Sequence, residues 1–89
     1  MPYRLKKEDL AYRKIGDAFY VLTVPDSTLH HITGVGVRVL ELLDGGKDEA
    51  AILDQLSAEF DVDAAELARD LDAFFADLTA KGIVTPDGN

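Results

Sequence analysis

The chain has 89 residues, a formal net charge of −8 and a composition that is 47% hydrophobic and 29% charged. These values are typical of one globular domain, which excludes a large two-domain enzyme and a disordered chain. The absence of cysteine excludes disulfide bridges, Cys-ligated zinc and thiolate catalysis. No apolar run approaches the roughly 18 residues of a membrane-spanning helix. The segment from Met1 to Ala11 also lacks the apolar core of a signal peptide, so we expect a cytoplasmic protein.

The first third of the chain predicts an N-terminal arm and three strands. Residues 1–10 carry no regular pattern and are expected to form an irregular arm, followed by a short strand from Ala11 to Ile15. Gly16-Asp17 is a turn signal. Ala18 to Val24 is rich in aromatic and β-branched residues, which favour a strand. Thr28 to Ile32 predicts a third strand, so the second strand would lie in the middle of a meander and the third at its edge.

Three helices are predicted in the remainder of the chain. Thr33 is a candidate N-cap for the first helix, which ends at Asp44-Gly45-Gly46. Asp48 is a candidate cap for the second helix, and the third is expected from Ala64 to Lys81, with Asp63 as its cap. The apolar stripe of the third helix follows the helical period and consists of Leu67, Leu71, Phe74, Phe75 and Leu78.

This order of elements predicts an α+β fold, a three-stranded antiparallel meander followed by a three-helix bundle, similar to a winged helix. The domain is expected over residues 11–84, and residues 85–89 are expected to form a flexible tail. In DNA-binding proteins of this architecture the third helix often enters the major groove. Residues 44–89, however, carry three basic residues against twelve acidic ones. Such a surface would repel phosphates, so nucleic acid is not an expected partner.

No group of residues has the pattern of a catalytic or metal site. His30 and His31 are adjacent, so in a strand they face opposite sides and cannot chelate one metal together. Gly34-Val35-Gly36 lacks the further glycine and the lysine of a phosphate-binding loop. The acidic residues are spread over amphipathic helices, which is typical of a solvated face. We therefore expect no catalysis, no cofactor and no metal.

The edge strand and the third helix together predict a binding surface. Thr28 to Ile32 contains no proline or lysine that would block pairing with another chain. On the third helix Phe74 is expected in the buried stripe, whereas Phe75 lies about 100° further round, near Ala68, and would flank the strand. An extended peptide could add to the sheet there, or a second copy could pair with the same edge in a homodimer. Alternatively, residues 1–10 cover the edge and Phe75 is ordinary core.

The order of these signals resembles the PqqD-like peptide chaperones, also called RiPP recognition elements. The resemblance covers residues 11–84, and each motif is weak alone but moderately specific in combination. One departure is that the family often has Leu-Asn where this chain has Ile32-Thr33. The residues that carry the resemblance are Gly16-Asp17, Ile32-Thr33, Gly36, Val39-Leu40-Glu41-Leu42-Leu43-Asp44-Gly45, Ile52, Asp70, Phe74, Leu78 and Lys81-Gly82-Ile83-Val84.

The resemblance implies a non-catalytic domain that binds the leader segment of a ribosomally synthesised precursor peptide and presents it to a modifying enzyme, often a radical SAM enzyme. The leader would pair as an antiparallel strand with the third strand and pack on the third helix. The alternatives are a structural module that oligomerises through its edge strand and, third, a winged-helix DNA-binding domain. Carried over to this chain, the peptide-binding residues would be Leu29, His30, His31 and Ile32 on the strand and Ala68, Leu71, Phe74 and Phe75 on the helix.

Overall fold

The structure is a computed structural model that describes residues 3–86. Within this range, short 3₁₀ turns at Lys7–Asp9 and Val24–Asp26 join some of the elements. The elements follow in the order β1 (Tyr3–Leu5), β2 (Leu10–Ile15), β3 (Ala18–Thr23), β4 (Thr28–Ile32), α1 (Val35–Asp44), α2 (Glu49–Glu59), α3 (Ala64–Ala80) and β5 (Val84–Pro86). The predicted α+β class is confirmed.

Strands β2, β3 and β4 form a three-stranded antiparallel sheet with β3 in the middle. Val21 of β3 lies opposite Tyr12 on one side and His30 on the other. Phe19 and Val21 point to the same face of the sheet, because side chains alternate along a strand. This face packs against the helices, and both residues are buried. The predicted meander is therefore confirmed, with shifts of one residue at the start of β2 and the end of β3.

The N-terminal segment differs from the irregular arm expected over residues 1–10. Strand β1 pairs antiparallel with β5, so that Tyr3 lies opposite Pro86 and Leu5 opposite Val84. The Leu5 side chain is buried in the core. A three-residue strand is too short to show a period, and its partner lies about 80 residues away in the chain, so no local pattern could indicate the pairing. The flexible tail expected over residues 85–89 is also corrected, because Thr85 and Pro86 belong to β5; residues 87–89 lie outside the described range.

The helix starts follow the predicted caps in two cases out of three. The side chain of Asp48 accepts a hydrogen bond from the N–H of Ala51 at 2.8 Å, and that of Asp63 accepts one from the N–H of Ala65 at 3.2 Å. Thr33 is not the N-cap of α1; Gly34 holds that position, with φ +67° and no side-chain bond. The left-handed φ explains the glycine, since a residue with a Cβ rarely adopts it.

The end of α3 returns the chain to the core. Gly82 has φ +78°, and the N–H of Ile83 donates to the carbonyl oxygen of Leu78 at 3.0 Å. Ile83 and Val84 are completely buried, as their position after the helix predicted. The sharp turn at Gly82 thus brings β5 beside β1.

Candidate functional site

Strand β4 has a free edge, because within residues 3–86 it pairs only with β3. By strand alternation His30 and Ile32 face the helices, and both are half-buried. Leu29 and His31 point to the outer face of the sheet, where Leu29 is 64% exposed and the His31 ring stacks on Tyr20 with centroids 4.9 Å apart. The backbone groups along this edge remain available to another strand.

The turn before β4 fixes the position of the edge strand. The hydroxyl of Thr23 donates to the carboxylate of Asp26, and the N–H of Thr28 donates to the same carboxylate at 3.3 Å. The bond from Thr23 is the main cause that holds the pKa of Asp26 below its usual value. His30 is anchored to the same network, since its Nε2 lies 3.4 Å from the Thr23 hydroxyl.

A first cavity, the edge cavity, lies between β4 and the C-terminal half of α3. Its volume is about 420 Å³. Asp77 and Lys81 form an ion pair of 2.8 Å at its rim. The lining residues are Leu29, His30, His31, Ile32, Thr33, Phe74, Asp77, Leu78, Lys81 and Ile83.

A second cavity, the helix cavity, lies between the start of α1, the loop before α3 and the N-terminal half of α3. Its volume is about 550 Å³. Phe74 lines both cavities, so they adjoin at its ring, and we call the two together the groove. The lining residues are Val35, Gly36, Val39, Asp61, Val62, Asp63, Glu66, Leu67, Asp70, Leu71 and Phe74.

Gly36 allows the elements around Phe74 to approach one another closely. A Cβ at this position would lie 2.8 Å from Cγ2 of Ile32 and 3.0 Å from Cζ of Phe74. Both distances are shorter than an ordinary van der Waals contact. The missing side chain therefore lets the end of β4, the start of α1 and the Phe74 ring meet at the junction of the two cavities.

The expectation of a buried Phe74 and a Phe75 that flanks the strand is reversed in the structure, and the alternative that Phe75 is ordinary core is the one found. Phe75 is completely buried and its ring stacks on Tyr3, with centroids 4.6 Å apart. Phe74 is only partly buried and faces the groove. The helical period gives the angle between the two side chains, but not which of them faces the core. Tertiary packing decides this, since Phe75 belongs to the core cluster and stacks on Tyr3 of β1, a strand that the sequence did not reveal.

The structure brings together only some of the predicted site residues. The four β4 residues and Phe74 line the edge cavity, and Leu71 is a buried part of the helix cavity wall. Phe75 is excluded from the groove by its burial. Ala68 lies on another side of α3, in a shallow cavity shared with Leu53 of α2. Neither Phe75 nor Ala68 is therefore placed to contact a peptide on β4.

Sequence reasoning missed the wall formed by α1 and the loop before α3. Val35 and Val62 are 44% and 50% exposed, although both are large apolar residues. Val35 fits the apolar period of the first helix, which indicates a buried residue, and Val62 lies in a connection that carries no period. The Gly34-Val35-Gly36 sequence was the available signal, since it leaves room at the start of α1.

The rim of the helix cavity is uniformly acidic. Asp61, Asp63, Glu66 and Asp70 line it, and no Lys or Arg does. Within the described residues, none of the ion pairs involves these four carboxylates.

Two basic residues of the helical region, Arg38 and Lys81, pair with carboxylates outside this rim. Arg38, for example, bonds Glu59 at 2.6 Å and, with Gln55, lowers the pKa of Glu59 to about 2. No group of His, Asp and Glu residues between residues 3 and 86 is arranged to hold a metal ion. In the same part of the chain, no helix has the length and hydrophobicity needed to cross a membrane.

Comparison with known sequences identifies relatives. A sequence model of the family described as coenzyme PQQ synthesis protein D matches residues 20–84. A protein named PqqA binding protein from Rhodopseudomonas palustris strain CGA009 is 38% identical over 82 residues, which are 92% of this chain and 74% of the relative. A second protein of that name, from strain TIE-1, is 43% identical over 51 residues, 57% of this chain and half of the relative.

Two solved structures share the fold. One is TbiB1 in complex with the TbiA(beta) leader peptide, with a TM-score of 0.88 and 28% identity over 97% of this chain and 96% of the other. The second is a lasso peptide synthetase B1 complexed with a leader peptide, with a TM-score of 0.84 over 94% of this chain and 98% of the other. Its identity is 18%, so it supports the fold alone. The family match and the 38% identical relative confirm the resemblance seen in the sequence, and the chain belongs to the family of coenzyme PQQ synthesis protein D.

Proposed function

We propose that this protein binds the leader segment of a ribosomally synthesised precursor peptide and presents it, without catalysis, to a modifying enzyme in the cytoplasm. The observation that carries the proposal is the free edge of β4 beside a groove along α3, with Phe74 between its two cavities. A peptide added to β4 would gain affinity from backbone hydrogen bonds and selectivity from its side chains in the groove. The names of the relatives, PqqA binding protein, support a peptide as the ligand.

The shape of the site supports presentation of the bound peptide. The groove lies on the surface, so a peptide bound along β4 can continue beyond both ends of the strand, where an enzyme has access to it. The groove offers shape, backbone groups and charge, which suit binding rather than a reaction. On the family resemblance, the modifying enzyme is often a radical SAM enzyme.

The test is a selection from a phage-displayed library of random 12-residue peptides on the immobilised protein, followed by amide NMR with a synthesised winner. The TbiA(beta) leader peptide serves as a second probe. We expect shifts in β4 and in the half of α3 that carries Phe74. If no peptide is enriched, or if the enriched peptides shift other regions only, the proposal fails.

Strand addition is tested separately with peptides N-methylated at successive positions. In a paired strand alternate N–H groups face the partner, so methylation should weaken binding at every second residue. Proline at His30 and at His31 gives the complementary test, because one of these N–H groups faces β3 and the other the free edge. Full affinity in both proline variants, with the fold intact, would contradict pairing through β4.

A second copy of the chain is the rival occupant of the same edge. The 64% exposure of Leu29 beside unpaired backbone groups favours it, because two such edges can form one continuous sheet in a symmetric dimer. Light scattering with and without the selected peptide decides between them. A monomer, or a dimer that the peptide dissociates, supports peptide binding. A dimer that excludes the peptide supports self-association.

A further inference from the structure

The helix cavity is built to receive a side chain from outside. Its floor is apolar, with Val39 and Leu71 buried, while Val35 and Val62 leave apolar surface exposed at its mouth. An exposed apolar surface beside a cavity of about 550 Å³ is stabilised when a bulky apolar group fills it. The carboxylates of the rim surround this apolar floor on the sides of the loop before α3 and of α3 itself.

Among the described residues no Lys or Arg forms an ion pair with the rim carboxylates, although Asp63 accepts a hydrogen bond from the N–H of Ala65 as the N-cap of α3. Arg69, next to Asp70 in α3, does not line the cavity, and Arg38 and Lys81 are engaged with Glu59 and Asp77. Four carboxylates around one cavity repel one another, and a cationic group brought between them relieves that repulsion. The same field repels a peptide whose residues at this point are acidic.

The direction of the bound peptide follows from the direction of β4. The strand runs from Thr28 to Ile32, and its Ile32 end lies at Gly36 and Phe74, beside the helix cavity. The sheet is antiparallel throughout, and antiparallel pairing is slightly more stable per residue. A peptide paired antiparallel to β4 therefore has its N-terminal side beyond Ile32, at the helix cavity.

We infer that the helix cavity selects peptides that carry a bulky apolar residue and a neighbouring Lys or Arg on the N-terminal side of the segment paired with β4. The apolar side chain fills the cavity, and the cation lies among the carboxylates of its rim. This inference rests on the proposed function, since it adds a selectivity to the same groove. It commits to a cationic peptide as the occupant.

The experiment uses the peptides recovered from the phage selection. We expect Lys and Arg to be enriched on the N-terminal side of the segment that shifts the β4 amides. In a synthesised peptide, replacing that Lys by Gln should weaken binding about fivefold, and replacing it by Glu should weaken it further. A permuted peptide of the same composition, with the Lys moved to the C-terminal side, is the matched control and should behave like the Gln peptide.

Protein variants identify the carboxylates that cause the preference for Lys or Arg. Glu66→Gln with Asp70→Asn removes two rim carboxylates and leaves the N-cap Asp63 intact. In this variant the Lys and Gln peptides should bind about equally. Asp54→Asn with Asp72→Asn removes the same charge outside the groove and should preserve the difference between the two peptides.

The outcomes separate this inference from the proposed function. If the peptides bind at β4 but show no preference for Lys or Arg, the selectivity is wrong and the peptide-binding function stands. If the preference persists in Glu66→Gln with Asp70→Asn, the rim is not its source and the inference is also wrong. If no peptide reaches β4, or if a second copy occupies the groove and is not displaced, both fail.

Discussion

Phe74 and Phe75 are adjacent residues of the same type with opposite expected roles. Phe75 is fully buried and stacked on Tyr3, whereas Phe74 is partly buried and separates the two cavities of the groove. Truncating Phe74 should therefore reduce peptide binding with a small loss of stability. Truncating Phe75 should reduce stability and leave the binding of folded molecules nearly unchanged.

The magnitudes follow from burial. A buried Phe→Ala change costs about 3–5 kcal/mol, and a lost aromatic stack adds about 1 kcal/mol. A domain of this size has about 4–13 kcal/mol of stability in total, so Phe75→Ala is expected to unfold much of the protein. Phe75→Leu is the usable variant, with an expected loss of about 1–2 kcal/mol. Phe74→Ala should also cost about 1–2 kcal/mol, because part of its ring already contacts water.

The two effects are measured by urea denaturation and by calorimetry with the selected 12-residue peptide. Phe74→Ala should weaken binding about tenfold or more, which is typical of an aromatic residue at the centre of an interface. Phe75→Leu should change the affinity less than about twofold at a temperature where the variant is folded. Equal loss of affinity in both variants would refute the assignment of Phe74 to the groove and Phe75 to the core.

Three further predictions concern packing and charge. Gly36→Ala should displace the Phe74 ring and weaken peptide binding. Gly45→Ala is the control and should leave binding unchanged, because its Cβ would come no closer than 3.4 Å to its neighbours. Binding isotherms of the two variants test this difference. Leu5→Ala should lower the free energy of unfolding by about 2–4 kcal/mol, because the side chain is buried. Arg4→Ala, on the exposed side of β1, should lower it by less than about 1 kcal/mol. Equal losses in urea denaturation would show that β1 does not pack on the core. The pKa of Glu59 is lowered to about 2, so its stabilising effect is complete above its unfolded pKa of about 4.3 and is lost as the pH falls towards 2. The stability difference between the wild type and Glu59→Gln should therefore close over that interval, and a difference that stays constant down to pH 2 would exclude the Arg38 pair as its source.

The sequence predicted those parts of the fold that depend on neighbouring residues. Three of these signals are local: the aromatic and β-branched run of β3, the long apolar stripe of α3, and the caps Asp48 and Asp63. Each is found in the structure. The pairing of β1 with β5 depends on a contact between the two ends of the chain, which no local pattern encodes. The start of α1 was misassigned because Thr33 satisfies a capping preference, while the backbone there needs the positive φ of Gly34.

The candidate site was predicted in outline and corrected in detail. The free edge of β4 followed from the absence of proline and lysine in Thr28–Ile32. Which α3 residues line the groove could not be predicted, because core and groove residues share one apolar stripe on α3. The tertiary packing places Phe75 in the core, stacked on Tyr3, and Phe74 in the groove. The helix cavity was missed, since it depends on how α1 and the loop before α3 meet.

The three-stranded sheet has a second edge, at β2, and it differs in kind from the edge at β4. Arg13 and Lys14 are adjacent residues of β2, so their side chains point to opposite faces of the sheet. Lys14 forms an ion pair of 3.1 Å with Glu41. Cationic side chains on an outer strand deter another strand from adding there, and β4 has none. The sheet is therefore expected to extend at the β4 edge, by one peptide or by the β4 strand of a second copy, while the β2 edge limits further growth into a longer sheet.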